Sequence, residues 1–225
     1  MQILYKDKSV VAVNKAIAEP IQSDLTGDLD TMSRLSSHLA GTGEGKDLWL
    51  VHRLDRVVGG VAVFARSKKS AAALSEAFSS HTVKKEYFAV VEGVCESGGV
   101  MCDLLFKDSA KGKTFIVDRK RAGVKEASLE FFPIATAECE KGARTLVRVH
   151  LHTGRFHQIR AQFSHRKMPL VGDGKYGSHD NGANSPALFS ASLEFNLFGR
   201  GYKITAMPDT EAYPWSLFGK EMYEI

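Results

Sequence analysis

Among 225 residues there are three cysteines, six prolines and no long apolar run. Cys95, Cys102 and Cys139 are odd in number and lack C-x-x-C spacing. That excludes a disulfide framework and a cysteine zinc site, and fits reduced thiols. No stretch approaches the ~20 apolar residues of a membrane span, and the first residues lack the apolar core of a signal peptide. A cytoplasmic address is expected by elimination. There is no P-loop and no G-x-G-x-x-G heading a strand–helix–strand unit; Gly41-Thr-Gly43-Glu-Gly45 follows a helical pattern and is expected to be a flexible connector. Neither an internal repeat nor a clear linker divides the chain, so a single domain over residues 1–225 is expected.

What is present is an ordinary globular composition, 44% hydrophobic and 25% charged. A chain of this size can bury roughly 70% of its unfolded surface without metal or disulfide staples. The net charge of +4 is mild, but it is clustered at Arg66-Ser-Lys68-Lys69, Lys84-Lys85, Lys111 with Lys113, Arg119-Lys-Arg121 and Arg166-Lys167. Such clusters suit phosphate backbones through counterion release, and equally suit a solvated surface. Charge alone permits an RNA partner without demonstrating one.

The hydrophobic pattern predicts many strands and few helices. Ile3–Tyr5 and Val10–Val13 form a short hairpin pattern, followed by a variable loop from Ala16 to Asp30. Met32, Leu35 and Leu39 fall at helical spacing behind the possible caps Asp28 and Asp30. Val61–Ala65 reads as a buried strand, and Ser67 as the cap of a helix to about Ser80. Tyr87–Val91 and Ser128–Phe132 are further strand candidates, and Met101–Lys125 is expected to be a loop region. From Leu146 to His152, Val147, Val149 and Leu151 alternate with Arg148, His150 and His152, a half-buried strand. The period then becomes helical from Arg155 to Arg166, with His157 and Arg160 three apart on one side. A hairpin over Leu193–Leu197 and Tyr202–Ala206 closes the pattern. Strands and helices out of strict alternation predict an α+β fold around a mixed, largely antiparallel sheet flanked by helices.

The segment His52-Arg53-Leu54-Asp55-Arg56-Val57-Val58-Gly59-Gly60 carries the strongest chemistry. A carboxylate between arginines has its ionised form favoured, which suits a nucleophile or base. A loop ion pair explains the same residues, and physics alone does not separate the two readings.

The motifs resemble those of the RluA family of RNA pseudouridine synthases. His52-Arg53-Leu54-Asp55 matches its H-R-L-D signature, and Val11-Ala-Val-Asn14-Lys15 resembles its early V-V-N-K strand. Lys85-Glu-Tyr87-Phe-Ala89-Val-Val-Glu-Gly93 resembles K-x-Y-x-A-x-V-x-G, and Thr153-Gly154-Arg155-Phe-His157-Gln158-Ile-Arg160 resembles T-G-R-x-H-Q-(L/I)-R. Pro169-Leu-Val-Gly172-Asp173-Gly-Lys-Tyr176-Gly177 resembles P-I-x-G-D-x-x-Y-G. The five motifs occur in family order over roughly residues 3–208. The chain departs from it at three places. Val58-Gly59-Gly60 stands for the usual T-S-G, Ala16 for a common proline, and Ser190 for a frequent histidine.

The resemblance implies a pseudouridine synthase fold and isomerisation of uridines in structured RNA, with ribosomal RNA weakly favoured over transfer RNA. Asp55 would be the catalytic aspartate, Arg160 its pairing cation, and Tyr87 the residue packed on the uracil and assisting loss of the C5 proton. Arg53 would fill the space left by the extruded base. His52, Arg155, His157 and Gln158 would contact RNA or brace the site. The chain begins almost at the first catalytic strand, so a separate N-terminal RNA-binding module is not expected, and a monomer is the default. No cofactor is expected, because the reaction trades a C–N for a C–C glycosidic bond within one nucleotide and oxidises nothing. Two rivals are a metal hydrolase built on His150, His152 and His157, and a catalytically retired RNA-binding relative. No carboxylate or cysteine completes the histidine set, so no metal is expected. Retention of Asp55, Tyr87 and Arg160 argues against a retired site.

Overall fold

The computed structural model describes residues 1–24 and 27–224. The expected Ala16–Asp30 loop therefore lies partly outside the described residues. Backbone contacts gather the chain into two compact units, Met1–Lys85 with Ser190–Pro208, and Glu86–Phe189 with Asp209–Glu224. The architecture is α+β: both units are built on β-sheet, and three α-helices accompany the strands among the described residues. Among the described residues no helix is long and apolar enough to cross a membrane.

The first unit opens with the antiparallel pair β1 (Gln2–Lys6) and β2 (Val10–Lys15), as the hairpin pattern predicts. Strand β2 then pairs antiparallel with β4 (Gly59–Ala65), Lys15 opposite Gly60 and Val10 opposite Ala65. Val10–Val13 and Val61–Ala65 are fully buried, which is why these runs are apolar without alternation. A two-residue strand, β3 (Trp49–Leu50), pairs with the far end of β4. Residues 51–58 thus connect two antiparallel neighbours. Helix α1 (Thr31–Gly41) is capped by Asp30, whose carboxylate accepts from the Ser33 N–H at 2.9 Å. Helix α2 (Lys68–Ser79) is capped by Ser67 in the same way, through the Ser70 N–H. Strands β10 (Leu188–Leu197) and β11 (Arg200–Thr205) form the expected last hairpin, with β10 beside β4.

The second unit is a ladder in the order β5–β9–β8–β6–β7, antiparallel throughout. Its strands are β5 (Lys84–Glu92), β6 (Gly99–Asp108), β7 (Lys113–Val117), β8 (Val124–Cys139) and β9 (Gly142–Leu151). Here the structure corrects the sequence reading: Met101–Lys125 is no loop but most of the β6–β7 hairpin and the start of β8. The mixed polar and apolar residues of Asp103–Val117 hid the pairing, because both strands are only partly buried. Strand β8 also outruns its expected five residues. It pairs with β6 as far as Phe131 and with β9 to Cys139, with a register shift between Pro133 and Ala135. Phe88–Val91, Leu129, Leu146, Val147, Val149 and Phe163 make this unit's core.

Helix α3 (Gln158–His165) starts three residues later than expected. The delay has a local cause. The Gln158 side-chain oxygen accepts from the Thr153 hydroxyl (2.8 Å) and the Arg155 N–H (3.0 Å), while its amide donates to the Ser128 carbonyl (3.1 Å). This holds Thr153–Phe156 in a turn, and His157 enters the helix from the left-handed region at φ 52°.

Candidate active site

In the first unit the connector between β3 and β4 carries His52, Arg53 and Asp55. The Val58 N–H donates to the Asp55 carbonyl at 3.0 Å, closing a turn that places Asp55 just before β4. His52 Nε2 accepts from the Val63 N–H at 3.0 Å, and its ring stacks on Phe78 with centroids 4.7 Å apart. Burial, and then the nearby Lys85 charge, lower its pKa to about 4. His52 is therefore a neutral ring with one nitrogen committed to the sheet. Arg53 is exposed, Leu54 is buried, and Asp55 is half-buried.

Beneath this connector sits Lys15, 1% exposed. Its ammonium donates to the carbonyls of Ala16 (2.8 Å), Glu19 (2.7 Å) and Arg56 (3.1 Å). Burial lowers its pKa to about 8, opposed by the charges of Glu19 and Asp55. The lysine of V-A-V-N-K thus ties the loop after β2 to the Asp55 turn through the Arg56 carbonyl. Arg56 adds a second tie, donating from Nε to the Ala18 carbonyl (3.1 Å) and pairing with Asp28 and, at 3.6 Å, with Asp24.

The Val58-Gly59-Gly60 departure becomes intelligible here. Gly60 has φ +110°, and a Cβ built there would lie 2.2 Å from the Ser190 carbonyl oxygen. Only the glycine of T-S-G has no substitute at this close approach. Ser190 is fully buried and its hydroxyl donates to the Val61 carbonyl at 3.2 Å, so the residue replacing the frequent histidine also belongs to this contact.

In the second unit Tyr87 lies buried on β5, opposite Val149 of β9. Arg160, on α3, is 4% exposed and forms a bidentate pair with Asp173, Nε to Oδ2 at 2.6 Å and Nη2 to Oδ1 at 2.7 Å. Asp173 is delivered by the G-D-x-x-Y-G segment. Pro169–Val171 runs against β5, with Glu92 N–H donating to Pro169 O and Val171 N–H to Val90 O, both at 2.9 Å. Gly172, at φ +77°, turns the chain where a Cβ would meet the Ser185 carbonyl at 2.5 Å.

The same segment supplies Tyr176, whose ring lies 5.0 Å from the Arg160 guanidinium carbon. Its hydroxyl accepts from the Thr114 N–H at 2.7 Å and lies 3.0 Å from His157 Nδ1. Giving its proton to Nδ1 puts the ring hydrogen of His157 on Nε2. Burial, then the charges of Arg160, Lys175 and Lys107, lower the His157 pKa to about 3, so the ring is neutral near pH 7. Gln158 is a brace, as described above, and half-buried Arg155 donates from Nε to the Glu126 carbonyl at 2.9 Å. His150, from the metal rival, has Nε2 3.1 Å from Glu86 Oε2.

Lys15, Asp173 and Tyr176 are thus the residues that site reasoning passed over. All three stood inside motifs already quoted, and their signal was a charged or hydroxylated side chain within an otherwise apolar or glycine-bounded motif.

Comparison with known proteins decides the family. The profile described as RNA pseudouridylate synthase matches residues 3–165. The chain belongs to the RluA-type RNA pseudouridine synthases. An uncharacterised RNA pseudouridine synthase of Zymomonas mobilis is 36% identical over 200 residues, covering 86% of each chain. The tRNA pseudouridine synthase C of Yersinia pestis is 31% identical over 231 residues, covering 96% of this chain and 88% of the relative. The solved structure of human RNA Pseudouridylate Synthase Domain Containing 1 shares the fold, with a TM-score of 0.79 at 21% identity, over 93% of this chain and 83% of that one. The pseudouridine synthases are isomerases acting on RNA, and the expected fold class agrees with these neighbours.

Proposed function

We propose that this pseudouridine synthase isomerises uridine in structured RNA, with Asp55 as its catalytic aspartate. The observation that carries the reading is the build of the Asp55 turn: a half-buried carboxylate on a connector that Lys15 ties to the end of β2 through the Arg56 carbonyl and Gly60 locks against Ser190. Such preorganisation is what a group acting on a single atom of substrate requires. The reaction breaks the bond from the ribose carbon to N1, forms one to C5, and moves the C5 hydrogen off the ring, so atoms and electrons balance without an added oxidant.

Arg160 supplies the guanidinium that serves this carboxylate, Tyr87 packs on the uracil, and exposed Arg53 fills the space of the extruded base. His52 acts through the connector, and Gln158 through the Thr153–His157 turn. Arg155 and His157 face the RNA side of that turn. Relatives named tRNA pseudouridine synthase C support transfer RNA as the first substrate to test, ahead of the ribosomal RNA favoured from sequence. The protein acts as a cytoplasmic monomer in this reading.

The experiment is tritium release from unmodified transfer and ribosomal RNA labelled at uridine C5. Wild type is expected to release tritium, and Asp55→Asn to release none while binding RNA within a few-fold of wild type. Full release by Asp55→Asn would remove the catalytic assignment. No release by wild type on any RNA would favour the retired-enzyme reading.

A further inference from the structure

Several cations of the basic clusters visible in the sequence are engaged in ion pairs within the protein. Arg166 pairs with Asp103, Lys84 with Glu194, Arg66 with Glu44, Lys111 with Asp108 and Lys120 with Glu126. Three lysines of the second unit behave differently. Lys107 Nζ stands 4.5 Å from the Phe156 ring centroid, and Lys113 Nζ stands 4.8 Å from that of Tyr176. Lys175 Nζ donates to the Gly112 carbonyl at the tip of the β6–β7 hairpin, at 2.9 Å. Each ammonium is held by a neutral group, a ring face or a carbonyl, and none has a carboxylate within ion-pair distance among the described residues. Asp108, which faces Lys113 across the ladder, is turned toward Lys111, accepting its backbone N–H at 3.0 Å.

These three cations are also contiguous. Lys107 and Thr114 are cross-strand partners, and Lys113 precedes Thr114. Phe156 stacks on His157 at 3.8 Å, and the His157 ring meets Tyr176 edge-on. Tyr176 in turn carries Lys113 on its ring and sits against Arg160. A strip of cations therefore runs from the hairpin to the neighbourhood of Arg160, with Asp108 turned to Lys111 and Asp173 to Arg160. Burial first, and then the charges of Arg160, Lys175 and Lys107, lower the pKa of His157 beside it.

We propose that the β6–β7 hairpin and the Gly174–Tyr176 turn form a landing surface for the RNA phosphate backbone, with Lys107, Lys113 and Lys175 each taking a phosphate of the strand flanking the target nucleotide. The proposal rests on the reading of the chain as an RNA-modifying enzyme and adds where the polyanion lies. Cations already fixed by neutral partners bind phosphate without first breaking an ion pair. Half-buried Phe115, over which Lys111 and Lys113 also stand, gives the strip the mixture of cations and ring faces that suits splayed RNA strands.

The test is equilibrium binding of an unmodified transfer RNA transcript, read by fluorescence anisotropy from 50 to 300 mM salt. The triple variant Lys107→Gln, Lys113→Gln, Lys175→Gln is compared with wild type. A control triple, Lys8→Gln, Lys203→Gln, Lys220→Gln, changes three exposed lysines elsewhere. Each phosphate contact contributes about 0.7–0.9 to the slope of log affinity against log salt, so the hairpin triple is expected to lower the slope by about 2–3. The control triple is expected to change it by less than about 0.5. Lys107→Gln alone, at an exposed position, is expected to lower the slope by about one, which guards against misfolding of the triple. An unchanged slope in the hairpin triple, an equal loss in both triples, or no RNA binding by wild type would overturn the surface. Tritium release by wild type is scored separately: release with an unchanged slope sinks the surface and leaves the enzyme, whereas a lowered slope without release keeps the surface and sinks the Asp55 assignment.

Discussion

Lys15 Nζ donates to the Arg56 carbonyl at 3.1 Å across 41 residues of chain, tying the end of β2 to the turn that presents Asp55. The same ammonium satisfies Ala16 and Glu19, so one buried cation organises two loops. Replacing it by Lys15→Met keeps the length and removes three donated bonds. Stranding these carbonyls is expected to lower unfolding free energy by roughly 3 kcal/mol. Urea denaturation measures that cost, and a loss under about 1 kcal/mol would show that the carbonyls find other partners.

Gly60 and Gly142 both have positive φ, but a Cβ at Gly142 meets nothing within 4 Å while one at Gly60 meets Ser190 backbone at 2.2 Å. Gly142→Ala is expected to cost about 1 kcal/mol from backbone strain alone. Gly60→Ala adds a collision that neither chain can relieve without moving β4 or β10, and is expected to cost at least about 3 kcal/mol. Thermal melts of the two variants side by side test the difference. Equal losses would show that the approach to Ser190 is looser than it stands here.

Arg160 is held by Asp173 in a geometry that leaves no latitude at Nε and Nη2. Arg160→Ala is expected to lower turnover on the order of a hundredfold or more, the scale of losing a preorganised charged donor. Lys120→Ala removes a lysine paired with exposed Glu126, and is expected to stay within about twofold. Asp173→Ala takes a bidentate partner from a buried guanidinium and is expected to cost roughly 3–5 kcal/mol of stability. Single-turnover kinetics with unmodified RNA make the first comparison; equal losses for Arg160 and Lys120 would count against a role at the reacting atoms.

Burial lowers the pKa of His52 to about 4 and of His157 to about 3. Between those values and the ordinary 6.5, the unfolded chain binds protons that the folded chain refuses. Stability is therefore fully present above about pH 6.5 and is lost as pH falls below it, by at most about 1.4 kcal/mol per pH unit for each histidine. His157→Asn, which tolerates the left-handed backbone, removes one of these groups and is expected to flatten the profile from pH 6.5 to 4.5. Urea midpoints across that range decide it, and a slope identical to wild type would mean that His157 is protonated in the folded protein.

Much of this was legible in advance, for physical reasons that differ between elements. Val10–Val13 and Val61–Ala65 are buried on both faces, so their apolar runs announced them. Asp30 and Ser67 announced α1 and α2 because a cap needs a short side-chain acceptor at one position. The β6–β7 hairpin was hidden because half-buried strands tolerate the mixture Asp103–Val117 shows, and its tip carries Gly112 inside a lysine-rich stretch that resembles a loop. The site residues followed from family motifs, whereas their tethers did not. Nothing in V-A-V-N-K says that the lysine points inward, and nothing in G-D-x-x-Y-G says that its aspartate and tyrosine serve Arg160. Those facts depend on contacts between residues 13 to 41 positions apart in sequence, which no local pattern encodes.

Strand β8 carries one more lesson. Beyond Phe131 it continues beside β9 without β6, and Phe132 there is 39% exposed. An open strand border with an exposed aromatic is the kind of template on which copies of a protein stack. Pro133, two residues past Phe131, lacks a backbone donor, and the neighbouring register shift bends the strand. The residue that looks like a flaw in a long strand thus leaves this border one backbone donor short of what intermolecular sheet growth would use, and is expected to favour solubility when the protein is made at high concentration.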